Sequence, residues 1–330
     1  MKNKKLNLAN LPTKIEKMPA ISKKLGLNIY LKRDDQTGSE ISGNKIRKLE
    51  YALYEALEQG ADTLITCGGI QSNHCRATAA AGAKLGLKTI LYLRTPVRQP
   101  VEGNYFLDQL LGAEVRFITP KEYNYHRQEI MEEAAQEVQR QGKKAYLIPE
   151  GASNGIGTLG YYEAFLEILA QEKQMGVEFD TVVCAVGSAG TYSGLHFANI
   201  LGEHGKKVVG IPIAADSQHF AGRTREIWQE FSKIIGSDKN LENEKMYLLD
   251  GYAGRGYALN TPEEMDFVLQ ISRSEGVIFD SVYTGKAFRG LVDALEKEHS
   301  YFENSKNILF IHTGGLFGLF DKKFEFDFHQ

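Results

Sequence analysis

The sequence predicts an α/β protein built on two doubly wound open sheets. Short apolar, β-branched runs alternate with helical stretches in two successive series. Two glycine-rich turns each follow such a run and open a helical stretch. The chain of 330 residues is long enough for two units, each with its own core.

The first series places buried strands at 63–66, 89–93, 115–118 and 145–148, with helices near 73–86, 103–111 and 121–141. The second places strands at 181–186, 208–213 and 308–312, with helices near 157–174, 190–204, 262–275 and 285–297. Alternation of this kind implies parallel strands joined by right-handed crossovers. A further strand candidate at 28–32 is assigned to the second unit's sheet. The expected organisation is therefore a larger domain of residues 1–48 and 161–330, interrupted by a smaller α/β domain at 49–160. The tail Phe324-Glu325-Phe326-Asp327-Phe328 alternates like an edge strand docked on its own domain.

Composition narrows the function. A net charge of -3, with both signs intermixed, leaves no electrostatic footprint for nucleic acid or a membrane. No apolar run approaches a membrane span, and Met1-Lys2-Asn3-Lys4-Lys5 lacks the apolar core of a secretion signal. Cys67, Cys75 and Cys184 share no zinc-like spacing and sit among small or apolar residues. They read as reduced packing residues, which implies a cytoplasmic location. The eight histidines form no close metal-ligand pair, so no metal is expected.

Lys45 stands where a glycine-bearing loop becomes an amphipathic segment, in Ser42-Gly43-Asn44-Lys45-Ile46-Arg47-Lys48-Leu49-Glu50. Leu49, Ala52 and Ala56 follow it at helical spacing, so Lys45 heads the apolar stripe; Arg47, Lys48 and Glu50 fall off it. An ammonium held there loses hydration, and desolvation favours the neutral, nucleophilic amine that forms Schiff bases.

The later glycine turn, Val186-Gly187-Ser188-Ala189-Gly190-Thr191, follows a strand directly. Its small residues let consecutive N–H groups converge at a helix start, and Ser188 and Thr191 add hydroxyls, a setting suited to a phosphate monoester. It lacks a Walker lysine, and no acidic residue closes the next strand as a dinucleotide site requires. The earlier turn, Cys67-Gly68-Gly69-Ile70-Gln71-Ser72-Asn73-His74, offers either a simple helix cap or a seat for a second anion such as an amino acid carboxylate. A late cluster combines Asp280-Ser281-Val282-Tyr283-Thr284-Gly285-Lys286 with His312-Thr313-Gly314-Gly315. His312 and Thr313 end a strand and are expected to face the same crevice as the phosphate turn.

A Schiff-base lysine, a phosphate cup and a carboxylate cup together describe a pyridoxal phosphate enzyme acting on an amino acid. The blocks around Lys45, at 68–74, 187–194 and 282–286, and at 312–315 resemble the D-cysteine desulfhydrase and 1-aminocyclopropane-1-carboxylate deaminase family. They fall in the family's order across nearly the whole chain. The resemblance implies the tryptophan synthase β-like fold (fold type II), pyridoxal 5'-phosphate as cofactor and a homodimer. It implies that Lys45 holds the cofactor and takes the substrate's Cα proton, and that Asn73 meets the cofactor's phenolic oxygen. It assigns the phosphate to Gly187, Ser188, Ala189, Gly190 and Thr191. The substrate carboxylate falls to Ser72, with Asn73 and His74, and Tyr257 and Tyr283 assist proton movement.

The resemblance also assigns Thr284 and Thr313 to the cofactor: the deaminase branch has a glutamate where this chain has Thr284, and Thr313 follows His312 as in the desulfhydrase branch. A neutral hydroxyl cannot stabilise a protonated pyridine, which favours β-elimination over a long-lived carbanion. His74 likewise resembles the desulfhydrase branch. The expected reaction is elimination from D-cysteine to pyruvate, hydrogen sulfide and ammonia. The alternatives are cyclopropane ring-opening deamination, elimination from L-cysteate, and a non-catalytic amino acid sensor.

Overall fold

In the computed structural model, which describes residues 4–97, 99–242 and 244–328, the chain forms two mostly parallel sheets. Met1–Asn3 of the basic N-terminal stretch lie outside the described residues. The chain begins β1 (Ile15–Lys17), α1 (Pro19–Leu25), β2 (Asn28–Lys32), α2 (Lys45–Glu58) and β3 (Thr63–Gly69). It continues α3 (Asn73–Leu85), β4 (Lys88–Arg94), α4 (Gly103–Leu110), β5 (Glu114–Ile118), α5 (Pro120–Arg140) and β6 (Ala145–Leu147). Next come α6 (Gly155–Met175), β7 (Thr181–Val186), α7 (Gly190–Leu201), β8 (Lys207–Pro212), α8 (Ser217–Ile235) and β9 (Tyr247–Leu248). The last are α9 (Pro262–Glu275), α10 (Thr284–Glu296), β10 (Asn307–Ile311) and α11 (Leu316–Leu319).

The smaller sheet has the order β5-β4-β3-β6, parallel throughout. The larger has the order β1-β2-β10-β7-β8-β9, in which only β1 runs antiparallel to its neighbour. The central strands are buried along their whole length: every residue of β3 and of β7 is. That explains their continuous apolar runs, since helices cover both faces of such a sheet. The strand at 28–32 pairs with β10, in the larger sheet. The expected division at 48/49 falls inside α2, and that at 160/161 inside α6.

Several local expectations are corrected. Arg47, Lys48 and Glu50 do not face solvent; they are 2%, 0% and 0% exposed. The reason is α6, which packs along the other side of α2 so closely that a Cβ on Gly160 would lie 2.3 Å from the Arg47 carbonyl oxygen. Arg47 there meets Asp34 at 2.8 Å and Glu167 at 2.9 Å, and Glu50 accepts the N–H groups of Leu8 and Ala9. The aromatic tail is not an edge strand, because Phe320–Glu325 forms a 3-10 turn. The 19-residue α8, α1, β1 and β9 had no counterpart in the sequence reading. All three cysteines are buried and free. Among the described residues no helix is long and apolar enough to cross a membrane.

Candidate active site

Both glycine turns leave the carboxyl ends of parallel strands, β3 and β7, and open onto one cavity of about 300 Å³. Lys45, Ser72, Asn73, His74, Gly187, Ser188, Ala189, Thr191, Tyr257, Tyr283 and Thr313 line it. Lys45 begins α2, and the surface it retains belongs to this cavity. Desolvation, against the opposing pull of Glu150 and Asp280, lowers its pKa to about 8. Its Nζ lies 3.2 Å from Asn44 Oδ1, while Asn44 Nδ2 donates to Thr191 Oγ1 at 2.9 Å. One amide thus ties the lysine to the later glycine turn. The loop ahead of Lys45 reaches this place because Gly43 (φ 101°) leaves room where a Cβ would meet the Thr313 carbonyl at 2.8 Å.

The later turn is an uncapped helix start. Ala189 adopts the left-handed region (φ 67°, ψ -23°) and no side chain caps α7, so its first N–H groups keep their capacity for an anion. Ser188 and Ser153 share a hydrogen bond of 2.8 Å beside it. Lys48, one turn along α2 from Lys45, donates to Ser153 Oγ at 2.9 Å. A Cβ on Gly190 would approach Lys48 Nζ to 2.8 Å, which places that amine behind the turn. Burial, followed by repulsion from Lys45, drives the Lys48 pKa well below its ordinary value. Helical period alone put Lys48 off the stripe, so the sequence reading missed it.

The earlier turn is capped by its own side chain. Ser72 Oγ accepts from the Cys75 N–H at 3.2 Å, leaving its hydroxyl hydrogen free to donate. Asn73 Oδ1 accepts from Asn104 Nδ2 at 2.9 Å, which leaves the Asn73 NH₂ for the cavity. His74 is buried and neutral, its pKa pushed well down by desolvation and then by Lys45 and Lys48. Thr66 Oγ1 donates to the Ile148 carbonyl at 2.7 Å, so His74 Nε2 must be the donor in its 2.8 Å contact with Thr66. Nδ1 is then a bare acceptor, and it has no partner among the described residues.

Tyr257 and Tyr283 meet through their hydroxyls at 2.9 Å, and the Tyr283 ring centroid lies 5.8 Å from Lys45 Nζ. Burial raises the Tyr257 pKa to about 12 and pushes that of Tyr283 well above its ordinary value. The loop bearing Tyr257 is clamped by Lys286, whose ammonium donates to the carbonyls of Ala253, Gly256 and Leu259 at 2.9 Å each. Two expected residues sit elsewhere. Thr284 is fully buried, donates its hydroxyl to Asp280 at 2.6 Å and is absent from the cavity lining. His312 turns into the core, stacked on Phe279 at 4.7 Å, and only Thr313 of that pair faces the crevice. Arg94, Tyr123, Arg127 and Glu150 also line the cavity without having been anticipated. Arg94 ends β4, a place at a strand's carboxyl end that the sequence reading did not connect with the site.

The residues present suit the implied cofactor. A buried amine of lowered pKa and an uncapped helix start line one cavity, and Gly187 leaves room there where a Cβ would meet the Tyr283 ring at 2.9 Å. Comparison with known proteins agrees. A family model described as "Pyridoxal-phosphate dependent enzyme" matches residues 6–314. A protein of Thermotoga maritima named a putative 1-aminocyclopropane-1-carboxylate deaminase is 43% identical over 323 residues, 96% of this chain and 97% of that protein. The mitochondrial bifunctional D-cysteine desulfhydrase/1-aminocyclopropane-1-carboxylate deaminase of Arabidopsis thaliana is 42% identical over 96% of this chain and 79% of its own length. A crystal structure of an ACC deaminase homologue superposes with a TM-score of 0.88 at 39% identity, covering 97% of this chain and 95% of that one.

Proposed function

The chain belongs to the pyridoxal-phosphate-dependent enzyme family, and we propose that it is a lyase removing the β-substituent of a small amino acid, D-cysteine foremost. The carrying observation is Lys45, an amine with its pKa drawn to about 8 inside a cavity that offers separate seats for two anions. The cofactor, when bound, supplies an aldehyde for covalent attachment and an electron-withdrawing ring that acidifies the bond at Cα.

The remaining work falls to the chain. The N–H groups of Gly187, Ser188, Ala189, Gly190 and Thr191, backed by Lys48, hold the phosphate, and the Asn73 NH₂ and Thr313 orient the ring. The Ser72 hydroxyl and the N–H groups of Asn73 and His74 hold the substrate carboxylate, and Lys45 takes the Cα proton at Nζ. The Tyr257–Tyr283 pair, both protonated at neutral pH, can pass a proton to the substrate's far side. That protonated pair is the feature that also supports opening of a cyclopropane amino acid, the reaction named for two of the relatives. The buried free thiols fit a reducing compartment, hence the cytoplasm, and the working form is taken to be a homodimer.

Steady-state rates on D-cysteine, L-cysteine, L-cysteate and 1-aminocyclopropane-1-carboxylate test the assignment, and D-cysteine is expected to give the highest kcat/KM. Lys45→Ala is expected to lose covalent cofactor, read by its absorbance, and at least about 10²–10⁴-fold in turnover. Recapture of cofactor by wild-type apoprotein is expected to accelerate with pH and reach half its maximum near pH 8, because only the free amine attacks. Wild-type turnover by Lys45→Ala would end this reading.

A further inference from the structure

Arg94 closes β4 and stands opposite Gly69 in the register of the smaller sheet. Its guanidinium carbon lies 4.6 Å from the Tyr123 ring centroid and 5.0 Å from that of Tyr257. Stacking uses the faces of a guanidinium and leaves its N–H edge available. Among the described residues that edge makes no hydrogen bond or ion pair, and Arg94 lines the cavity. The nearby carboxylate, Glu150, is already 4.0 Å from Arg127. A half-buried guanidinium at the wall of a cavity, with its edge unengaged, is placed to meet an arriving anion.

Position indicates which anion. From Lys45 Nζ to the Tyr283 ring is 5.8 Å, the two tyrosine hydroxyls are 2.9 Å apart, and Arg94 stacks beyond Tyr257. On the function proposed above, on which this inference rests, three directions from the substrate's Cα are taken. Nitrogen points to the cofactor, the proton to Lys45 and the carboxylate to the Ser72 turn. Cβ and its substituent are left with the side occupied by the tyrosine pair and Arg94.

We infer that Arg94 determines specificity for the leaving group, selecting amino acids whose β-substituent departs as an anion, here the sulfur of cysteine. In that step the Cα proton passes to Lys45 Nζ and its bonding pair becomes the Cα–Cβ double bond. The Cβ–S bond breaks, and sulfur keeps both electrons as hydrosulfide. Negative charge grows on sulfur as the bond stretches, and the guanidinium edge supplies a charged donor to meet it.

Arg94→Met keeps bulk between the two rings and removes the charge. In the holoenzyme, D-cysteine elimination is expected to fall about 100-fold, the scale of one lost oxyanion donor. Exchange of the alanine Cα proton in heavy water, which expels no leaving group, should fall far less, so the ratio of elimination to exchange drops at least about tenfold. Arg94→Lys should recover part of the loss. An unchanged ratio, whether both reactions fall together or neither falls, overturns the inference. A second arm needs no turnover: calorimetric titration of holoenzyme at neutral pH with 3-sulfopropionate, whose sulfonate is always ionised, and with butyrate. The wild type should favour the sulfonate about tenfold, the scale of one charge-assisted contact, and Arg94→Met should not; equal affinities in the wild type overturn the anion site. A wild type that shows this preference yet turns over no amino acid overturns the proposed reaction and sustains the site.

Discussion

The two glycine turns that open onto the cavity look alike in sequence and differ in how they treat their helix starts. At α3 the chain spends one of its own side chains on the backbone, since Ser72 caps the Cys75 N–H, and the neighbouring His74 is neutral. At α7 no side chain intervenes, Ala189 is held in a strained left-handed conformation, and a buried lysine stands behind. The lesson concerns supply of donors. A capped helix start has a few N–H groups left, enough for a monoanion such as a carboxylate. An uncapped one keeps its whole first turn for a phosphate. Glycine content does not tell them apart; the residue at the cap does.

The sharpest way to break this comparison is to fill each turn with one methyl group. On Gly190 a Cβ would meet Ser153 Oγ at 2.6 Å and Lys48 Nζ at 2.8 Å. On Gly68 it would meet Ser72 Oγ at 2.5 Å and Cys75 Sγ at 2.8 Å. Overpacking of this kind costs about 1–3 kcal/mol. Gly190→Ala is therefore expected to weaken cofactor binding about 10- to 100-fold in equilibrium dialysis. Gly68→Ala should raise KM for the amino acid while cofactor absorbance persists. Equal loss of cofactor in both variants would mean that the turns do not divide the two anions.

A smaller effect sharpens the comparison through its sign. Lys48 is fully buried, and burial lowers its pKa, so the folded apoprotein gives up this proton at a lower pH than the unfolded chain does. Between the folded pKa and the ordinary value near 10.4, the unfolded state binds more protons, and stability rises with pH. Bringing a phosphate dianion to the turn reverses the preference and restores the charge. Lys48→Met should thus raise the Tm of apoprotein by a few degrees below the ordinary lysine pKa and flatten its rise toward alkaline pH. The same change should weaken cofactor affinity about tenfold, or about 1.4 kcal/mol. Opposite signs in the two measurements identify a phosphate partner, whereas a packing role would move both the same way.

How much of this was legible follows from the range of each signal. Strands buried on both faces announce themselves as apolar runs, and the turns that leave them are fixed by chain order alone. The two glycine turns were therefore visible, and so was Lys45. Lys48 was hidden because a helical wheel assumes one dry face, while residues 46–53 of α2 are buried on every side where α3 and α6 pack against it. Thr284 misled in the reverse direction. Its place beside Tyr283 suggested the cofactor, but Asp280, four residues back, claims its hydroxyl and the N–H groups of 282–284. α8 was missed although Phe220, Thr224, Ile227, Trp228 and Phe231 are buried at helical spacing and Asp216 caps the His219 N–H. Its apolar stripe is diluted by charged residues on the outer face, and a search for strands passes over it. Arg94 needed the fold, because only the register of β3 and β4 brings it beside the Ser72 turn.

The finest test of the comparison lies in the strain at the uncapped turn. Ala189 at φ 67° sits where an alanine costs about 1–2 kcal/mol relative to glycine. Ala189→Gly relieves that strain, but it also exposes the loss of one methyl buried to 2%, about 0.8 kcal/mol. It further frees the unfolded chain by about 0.4–1 kcal/mol. These contributions nearly cancel, so thermal stability should change by less than about 1 kcal/mol. Cofactor affinity should nonetheless drop two- to threefold on the order of a few tenths of a kcal/mol, because a glycine turn holds its N–H groups less firmly in line. At Ser72, with φ -71°, no such strain exists to release. A clear gain in stability with unchanged affinity would show that the left-handed alanine merely tolerates its position, and that the cap alone separates the two turns.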